Sequence, residues 1–173
     1  IDVTYPSDPV PVGSIRDNLG GFYYLGGVRD ISVAHSDGRV LALAGSGDGV
    51  QVIDVTDPYH PAPAGGLRAG PGGLDIDGVH LTAALSVTDG RVLALAGGAG
   101  RVAVLDISPG LPVLAGVIPV DGDAGSATDI SIFEATDGRI HALLAGEGGV
   151  RIVDVTDPGS PVRVAALKGP AVL

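Results

Sequence analysis

Cysteine, methionine and tryptophan are absent from this 173-residue chain, and four tyrosines and two phenylalanines supply all of its aromatic rings. Without cysteine there is no disulfide, no thiolate nucleophile and no thiolate zinc site. Glutamate is nearly missing too, at 2 residues against 18 aspartates. Aspartate serves turns better than helices, because its short carboxylate bonds the backbone two residues on. Basic residues are few, 10 against 20 acidic ones, for a net charge of −10 and a pI near 4.5. That balance argues against nucleic acid and anionic membrane surfaces, which need a basic face. It leaves cationic partners, metal ions or a plain soluble surface. No run of 18 apolar residues occurs, so no helical membrane span is expected. Ile1 carries neither an initiator Met nor a signal peptide, so the chain reads as processed or as a piece of a longer one.

What is present is glycine (29), proline (13) and a 45% apolar fraction, with charged residues at only 17% and a mean hydropathy of +0.40. So apolar a chain can pay for order, which excludes disorder. Apolar runs punctuated by turn residues read as short strands. The sequence is also periodic. IDVTDP at 53–58 has relatives in IDVTYP at 1–6, LDISP at 105–109 and VDVTDP at 153–158, and their aspartates Asp2, Asp54, Asp106 and Asp154 are spaced by 52, 52 and 48. A second marker, Asp-Gly-Arg, falls at 37–39, 89–91 and 137–139, again spaced by 52 and 48. Two independent markers with one period of about 50 residues define a repeat.

Each unit reads as four strands. In the first full unit, 29–35 and 40–44 flank an Asp-Gly pair, the strongest short hairpin signal. The run 50–56 makes a third strand and 62–67 a weak fourth, suited to an outer edge where Pro and Gly are tolerated. Four antiparallel strands in a unit of this length, repeated, predict an all-β fold of β-propeller blades. A small twisted sheet with two apolar faces must stack on neighbours to bury both. Alanines at 42, 44, 94, 96, 142 and 145 fit close sheet-to-sheet approach. The repeats run approximately 1–15 (partial), 16–67, 68–118 and 119–168. The expected order is an N-terminal strand pair followed by three complete blades, fourteen strands in all.

VQVIDVTDP and VRIVDVTDP, with the DP-x-x-P element at Pro6/Pro9, Pro58/Pro61, Pro109/Pro112 and Pro158/Pro161, resemble the LVIVD-repeat family of bacterial and archaeal propellers and the broader YVTN-type surface-protein propellers. The resemblance covers essentially the whole chain. It implies a scaffold, often secreted or surface-anchored, and no particular reaction. Three blades cannot close a ring, since propellers have 4–8. Either a longer polypeptide or a homodimer completes it.

Several residues could carry chemistry. The repeated aspartates read first as turn caps, and alternatively as a ring of carboxylates. The loops between the last strand of one blade and the first of the next, 16–29, 68–80 and 119–128, hold Asp17, Asn18, Asp75, Asp77, Asp121 and Asp123, with Asp30 and Asp129 just beyond. Calcium takes six to eight oxygens, so Asp17, Asp30, Asp75, Asp77, Asp121, Asp123 and Asp129 are its candidate ligands. The run from Asp121 starts like an EF-hand loop, but Ile132 occupies the twelfth position. Solvated turns are the plainer reading. The four histidines share no ligand spacing. His141 suits a core position, and His80 is placed to face the channel. Phe22, Tyr23 and Tyr24 form the one aromatic cluster, readable as a plug or as a contact patch for a protein or carbohydrate. No Ser-His-Asp set or phosphate loop is evident. Two functions follow. One is a non-enzymatic binding or structural propeller. The other is a metal-dependent hydrolase or lactonase with its site at the channel.

Overall fold

The computed structural model describes residues 1–108, 112–120 and 127–168. Among the described residues the apolar runs form twelve strands and no helix. Blade 1 holds β1 (Asp30–Ser36), β2 (Arg39–Ser46), β3 (Gly49–Asp54) and β4 (Ala62–Arg68). Blade 2 holds β5 (Leu81–Ser86), β6 (Val92–Gly98), β7 (Arg101–Asp106) and β8 (Val113–Pro119). Blade 3 holds β9 (Ala127–Glu134), β10 (Ile140–Gly146), β11 (Gly149–Asp154) and β12 (Val162–Lys168). Each blade is one antiparallel sheet with its strands in chain order. Every blade has a register shift at the same place, where the third strand meets the fourth, at Val52/Ile53, Val104/Leu105 and Ile152/Val153.

The blades stack face to face, and most sheet-to-sheet contact runs through the innermost strands β1, β5 and β9. Leu41, Leu43, Val50 and Val52 on the front of blade 1 are sealed against Val92, Ala94, Ala96 and Leu105 on the back of blade 2. Leu93, Leu95, Val102 and Val104 on the front of blade 2 meet Ile130, Ile132, Ala142 and Leu144 on the back of blade 3. Alanine on the back of the second strand lets large side chains of the preceding blade approach at 94, 96 and 142, whereas Ala42 and Ala44 on the back of blade 1 receive Phe22 instead. Ala145 is the exception. Adjacent strand residues point to opposite faces, so Leu144 takes the position of Ala44 and Ala96 while Ala145 falls on the front. The connection 69–80 is not a surface loop. Leu74, Ile76 and Val79 are buried in the first seam.

Two expectations change. The first Asp-Gly hairpin is a two-residue turn, with positive φ at both Asp37 (48°) and Gly38 (77°), as a type I′ turn requires. The other two are three-residue loops. Thr88 and Thr136 add one residue, and only Gly90 and Gly138 take positive φ (91° and 80°). Gly90 N–H donates to Val87 O at 3.0 Å and Gly138 N–H to Ala135 O at 2.9 Å. That is the type I turn plus glycine bulge, and it moves the aspartate out of the left-handed position.

The N-terminal pair is a single antiparallel bridge, Asp2↔Val10. Its register is nevertheless that of Asp54↔Ala62 and Asp154↔Val162. A Cβ built on Gly13 would lie 2.2 Å from Pro58 O and 3.4 Å from Pro61 Cδ, and one built on Gly116 would lie 2.1 Å from Pro158 O and 3.4 Å from Pro161 Cδ. Residues 2–13 therefore sit on blade 1 as the outer corner of blade 2 sits on blade 3. Gly116→Ala should cost about 1–3 kcal/mol through forced separation at the seam, measured by chemical denaturation. An unchanged midpoint would show that the outer seam has room to give.

Candidate functional site

The repeated aspartates act as locks. Asp54 Oδ1 accepts from Thr56 N–H at 3.0 Å and from its hydroxyl at 2.6 Å, and Thr56 Oγ1 in turn accepts the Val40 N–H at 2.9 Å. Blade 3 repeats this with Asp154, Thr156 and the Ile140 N–H, and blade 2 with Asp106, Ser108 and the Val92 N–H. Asp2 holds Thr4 the same way. The locks at Asp54, Asp106 and Asp154 each tie the end of a third strand to the start of the second strand in the same blade. The second oxygen of Asp54 takes Arg39 at 2.8 Å, and Arg139 lies 3.7 Å from Asp154. Hydrogen bonds from Thr56 and Thr156 hold the carboxyls of Asp54 and Asp154 below the usual carboxylate range. These residues form turns at one end of each blade and converge on nothing. The hydroxyl two residues after each aspartate (Thr4, Thr56, Ser108, Thr156) was the readable signal for the lock.

Among the described residues, the candidate calcium ligands are dispersed. Asp30 clamps two blades: Oδ1 accepts the Ile31 N–H at 2.9 Å, and Oδ2 accepts the Thr82 N–H at 2.6 Å and its hydroxyl at 3.2 Å. Asp129, at the matching position of blade 3, accepts the Ile130 N–H at 2.9 Å. Asp75 pairs with Arg101 across the first connection. Asp77 is exposed. Asp17 accepts the Leu25 N–H at 3.0 Å. Its other oxygen crowds Gly26 together with Asp48, at 3.4 and 2.5 Å from a Cβ built there. Their shared approach to Gly26 was not legible, since Asp48 lies in a separate turn. Asp121 and Asp123 lie outside the described residues. Among the described residues, no group of three or more His, Asp or Glu side chains is placed to hold one metal ion.

The aromatic cluster divides. Phe22 is buried against Ala42, Ala44 and Ile53 on the back of blade 1, beside Ile15 and Leu25. It is a plug residue and not part of an exposed patch, because the back of blade 1 has no preceding sheet to cover it. Tyr24 lies over Gly66, where a Cβ would come within 2.5 Å of its ring. Tyr23 stays exposed, while its backbone N–H donates to Gln51 Oε1 at 3.0 Å. The buried Gln51 and Arg151 occupy equivalent positions on the back of their blades, and both hold the chain that precedes the blade; Arg151 donates to Pro119 O at 2.7 Å. His80 meets the Arg29 guanidinium at the start of the innermost strands. His141 stacks on Phe133 with ring centroids 5.5 Å apart, and its Nδ1 is buried without a partner. A cavity of about 260 Å³, lined by Ile118, Pro119, Arg151, Val153, Pro161 and Arg163, opens between blades 2 and 3.

The architecture is that of β-propeller blades. No family model matches the chain, and no curated protein does. Among solved structures it is similar to a GH43 β-1,3-galactosidase, with 13% identity and a TM-score of 0.54 over 91% of this chain and 39% of that one. A protein of unknown function from Bacteroides caccae aligns at 17% identity and a TM-score of 0.47, over 79% of this chain and 44% of that one. The chain therefore spans less than half the length of the structures it matches. At such identity the likeness concerns the fold alone.

The locks set a pH dependence. A carboxyl whose folded pKa is lowered stabilises the fold fully above its ordinary value, about 3.9. The contribution is lost as pH falls through the lowered folded values. Melting temperature should therefore hold from neutral pH to near that value and drop below it. The double variant Asp54→Asn, Asp154→Asn should melt lower at neutral pH and show a shallower acid slope. Parallel acid slopes in the two proteins would remove these carboxylates from the account. Thr156→Val, which strands the buried Ile140 N–H, should cost about 1–3 kcal/mol.

Proposed function

We propose that the chain is a non-catalytic binding and structural propeller module. One observation carries this reading. Among the described residues, the acidic and imidazole groups that a channel hydrolase would bring together are instead spread along the structure and engaged in holding it. Asp30 bonds the next blade, Asp75 an arginine of the neighbouring blade, Asp17 its own loop and His80 the Arg29 side chain. General acid–base or metal-assisted chemistry needs such groups within hydrogen-bond or ligand reach of one reacting atom. A binding module needs a shaped, stable surface, and the repeat supplies that. The resemblance to LVIVD repeats points the same way. Tyr23, exposed beside a rigid seam, is the aromatic best placed to meet a protein or carbohydrate, offering a flat apolar face and a polar tip.

A hydrolase reading is separated by direct assay. With calcium, zinc or manganese supplied in turn, lactones and activated esters should turn over no faster than in buffer. Metal-dependent turnover that falls in His80→Ala would overturn the proposal. Calcium tests it from the other side. Melting curves in chelator and in excess calcium should coincide, since a ligand that binds the native state raises its stability by mass action. A calcium-dependent rise abolished by Asp129→Asn would instead make that carboxylate a ligand.

A further inference from the structure

The two seams follow one plan, and a repeat makes any departure from it readable. In the first seam, blade 2 turns Ala103, Leu105 and Leu114 toward blade 1. With Leu67, Leu74 and Ile76 they close the outer half of that seam with apolar side chains. Register puts Arg151, Val153 and Arg163 of blade 3 at the positions of Ala103, Leu105 and Leu114. Ile118 likewise takes the position of Leu67. The second seam therefore carries arginine at two positions where the first has alanine and leucine. Its outer half is not filled. The cavity of about 260 Å³ lies there, between β8 on one side and β11 and β12 on the other.

The lining divides by chemistry. Ile118 and Val153 are 3% and 2% exposed, and with Pro119 and Pro161 they make an apolar floor and walls. Arg151 is buried and donates to Pro119 O, a neutral acceptor. Arg163 is exposed on the edge strand β12. Arg39, Arg91, Arg101 and Arg139 are each paired with an aspartate, and among the described residues no such pair includes Arg163. A chain of net charge −10 has thus set two guanidiniums around one recess. Their mutual repulsion is relieved by an anion placed between them. The planar fork of a guanidinium matches the two oxygens of a carboxylate. An apolar floor favours an anion that carries an apolar body over a bare inorganic ion. Pockets for drug-sized ligands run to roughly 300–1,000 Å³, so this one suits a smaller molecule.

We propose that the recess between blades 2 and 3 is a binding site for a small organic carboxylate, with the carboxylate held by Arg151 and Arg163 and the apolar body resting on Ile118 and Val153. The inference stands apart from the functional reading above. It concerns a seam and not the Tyr23 surface, and it is the same for a catalytic protein as for a non-catalytic one.

Calorimetric titration of the whole chain with benzoate, benzyl alcohol and inorganic phosphate tests this. Benzoate should bind saturably and raise the melting temperature by mass action. Benzyl alcohol has nearly the shape without the charge, and phosphate has the charge without the apolar body. Each should bind about ten-fold or more weakly than benzoate. Arg163→Ala should weaken benzoate by about the same factor, while its melting temperature without ligand stays that of wild type, because the side chain is exposed. Arg163→Lys should recover part of the loss. Arg151→Met should weaken binding too, with some loss of stability, since it removes the donor to Pro119 O. No saturable binding of benzoate up to its solubility limit would overturn the proposal and leave both guanidiniums to the protein's own carboxylates. Undiminished binding in Arg163→Ala, or benzyl alcohol binding as tightly as benzoate, would overturn it equally. Phosphate binding as tightly as benzoate would overturn the organic assignment.

Discussion

Everything in this molecule depends on the burial of one sheet face against the next. A four-stranded sheet of six- to eight-residue strands has two apolar faces and no interior of its own. At about 25 cal/mol per Å² of apolar surface removed from water, a seam is worth far more than any polar contact that decorates it. The polar contacts align the seams instead. Asp30 on Thr82 and Ser86 on His35 join neighbouring innermost strands, and Glu134 on Thr88 joins an innermost strand to the hairpin loop of the blade before it. They fix the height of one blade against the next, which a purely apolar contact leaves free to slide.

This division of labour explains why acidic residues are abundant and yet gather nowhere. An aspartate can serve a turn, a blade corner or an inter-blade clamp, and each task is local. The same geometry that makes Asp54 and Asp154 good locks faces them away from any common point. Glutamate, with a longer side chain and more rotamer freedom to lose, suits these short reaches less well, in keeping with its scarcity.

Much of the architecture was legible in the sequence because it rests on period and turn chemistry. The spacing of Asp54, Asp106 and Asp154 marked equivalent blade corners, and the Asp-Gly pairs marked the inner hairpins. What escaped depended on single insertions or on distant parts of the chain meeting. One extra threonine changed two turns from two to three residues, which pattern reading does not resolve. Phe22 gave no sign of whether it would be exposed or buried, since the surface it covers is a strand 20 residues further on. The placement of Leu74, Ile76 and Val79 inside a seam likewise arises only once the blades stack. The candidate site was legible as a set of residue types but not as an arrangement, because a repeat distributes like residues around the fold and does not collect them.

The locks also bear on how the chain acquires its shape. Each ties residues only 15–16 positions apart, and each of these inter-blade clamps spans about one repeat, 46–52 positions. No described hydrogen bond is needed between the first blade and the third. The molecule is in that sense one-dimensional, with information passing only between nearest neighbours. A blade can form beside whichever neighbour is already in place. Duplication or loss of one whole unit would lengthen or shorten the stack without asking any other unit to change, which is how a gene can vary blade number while every seam stays the same.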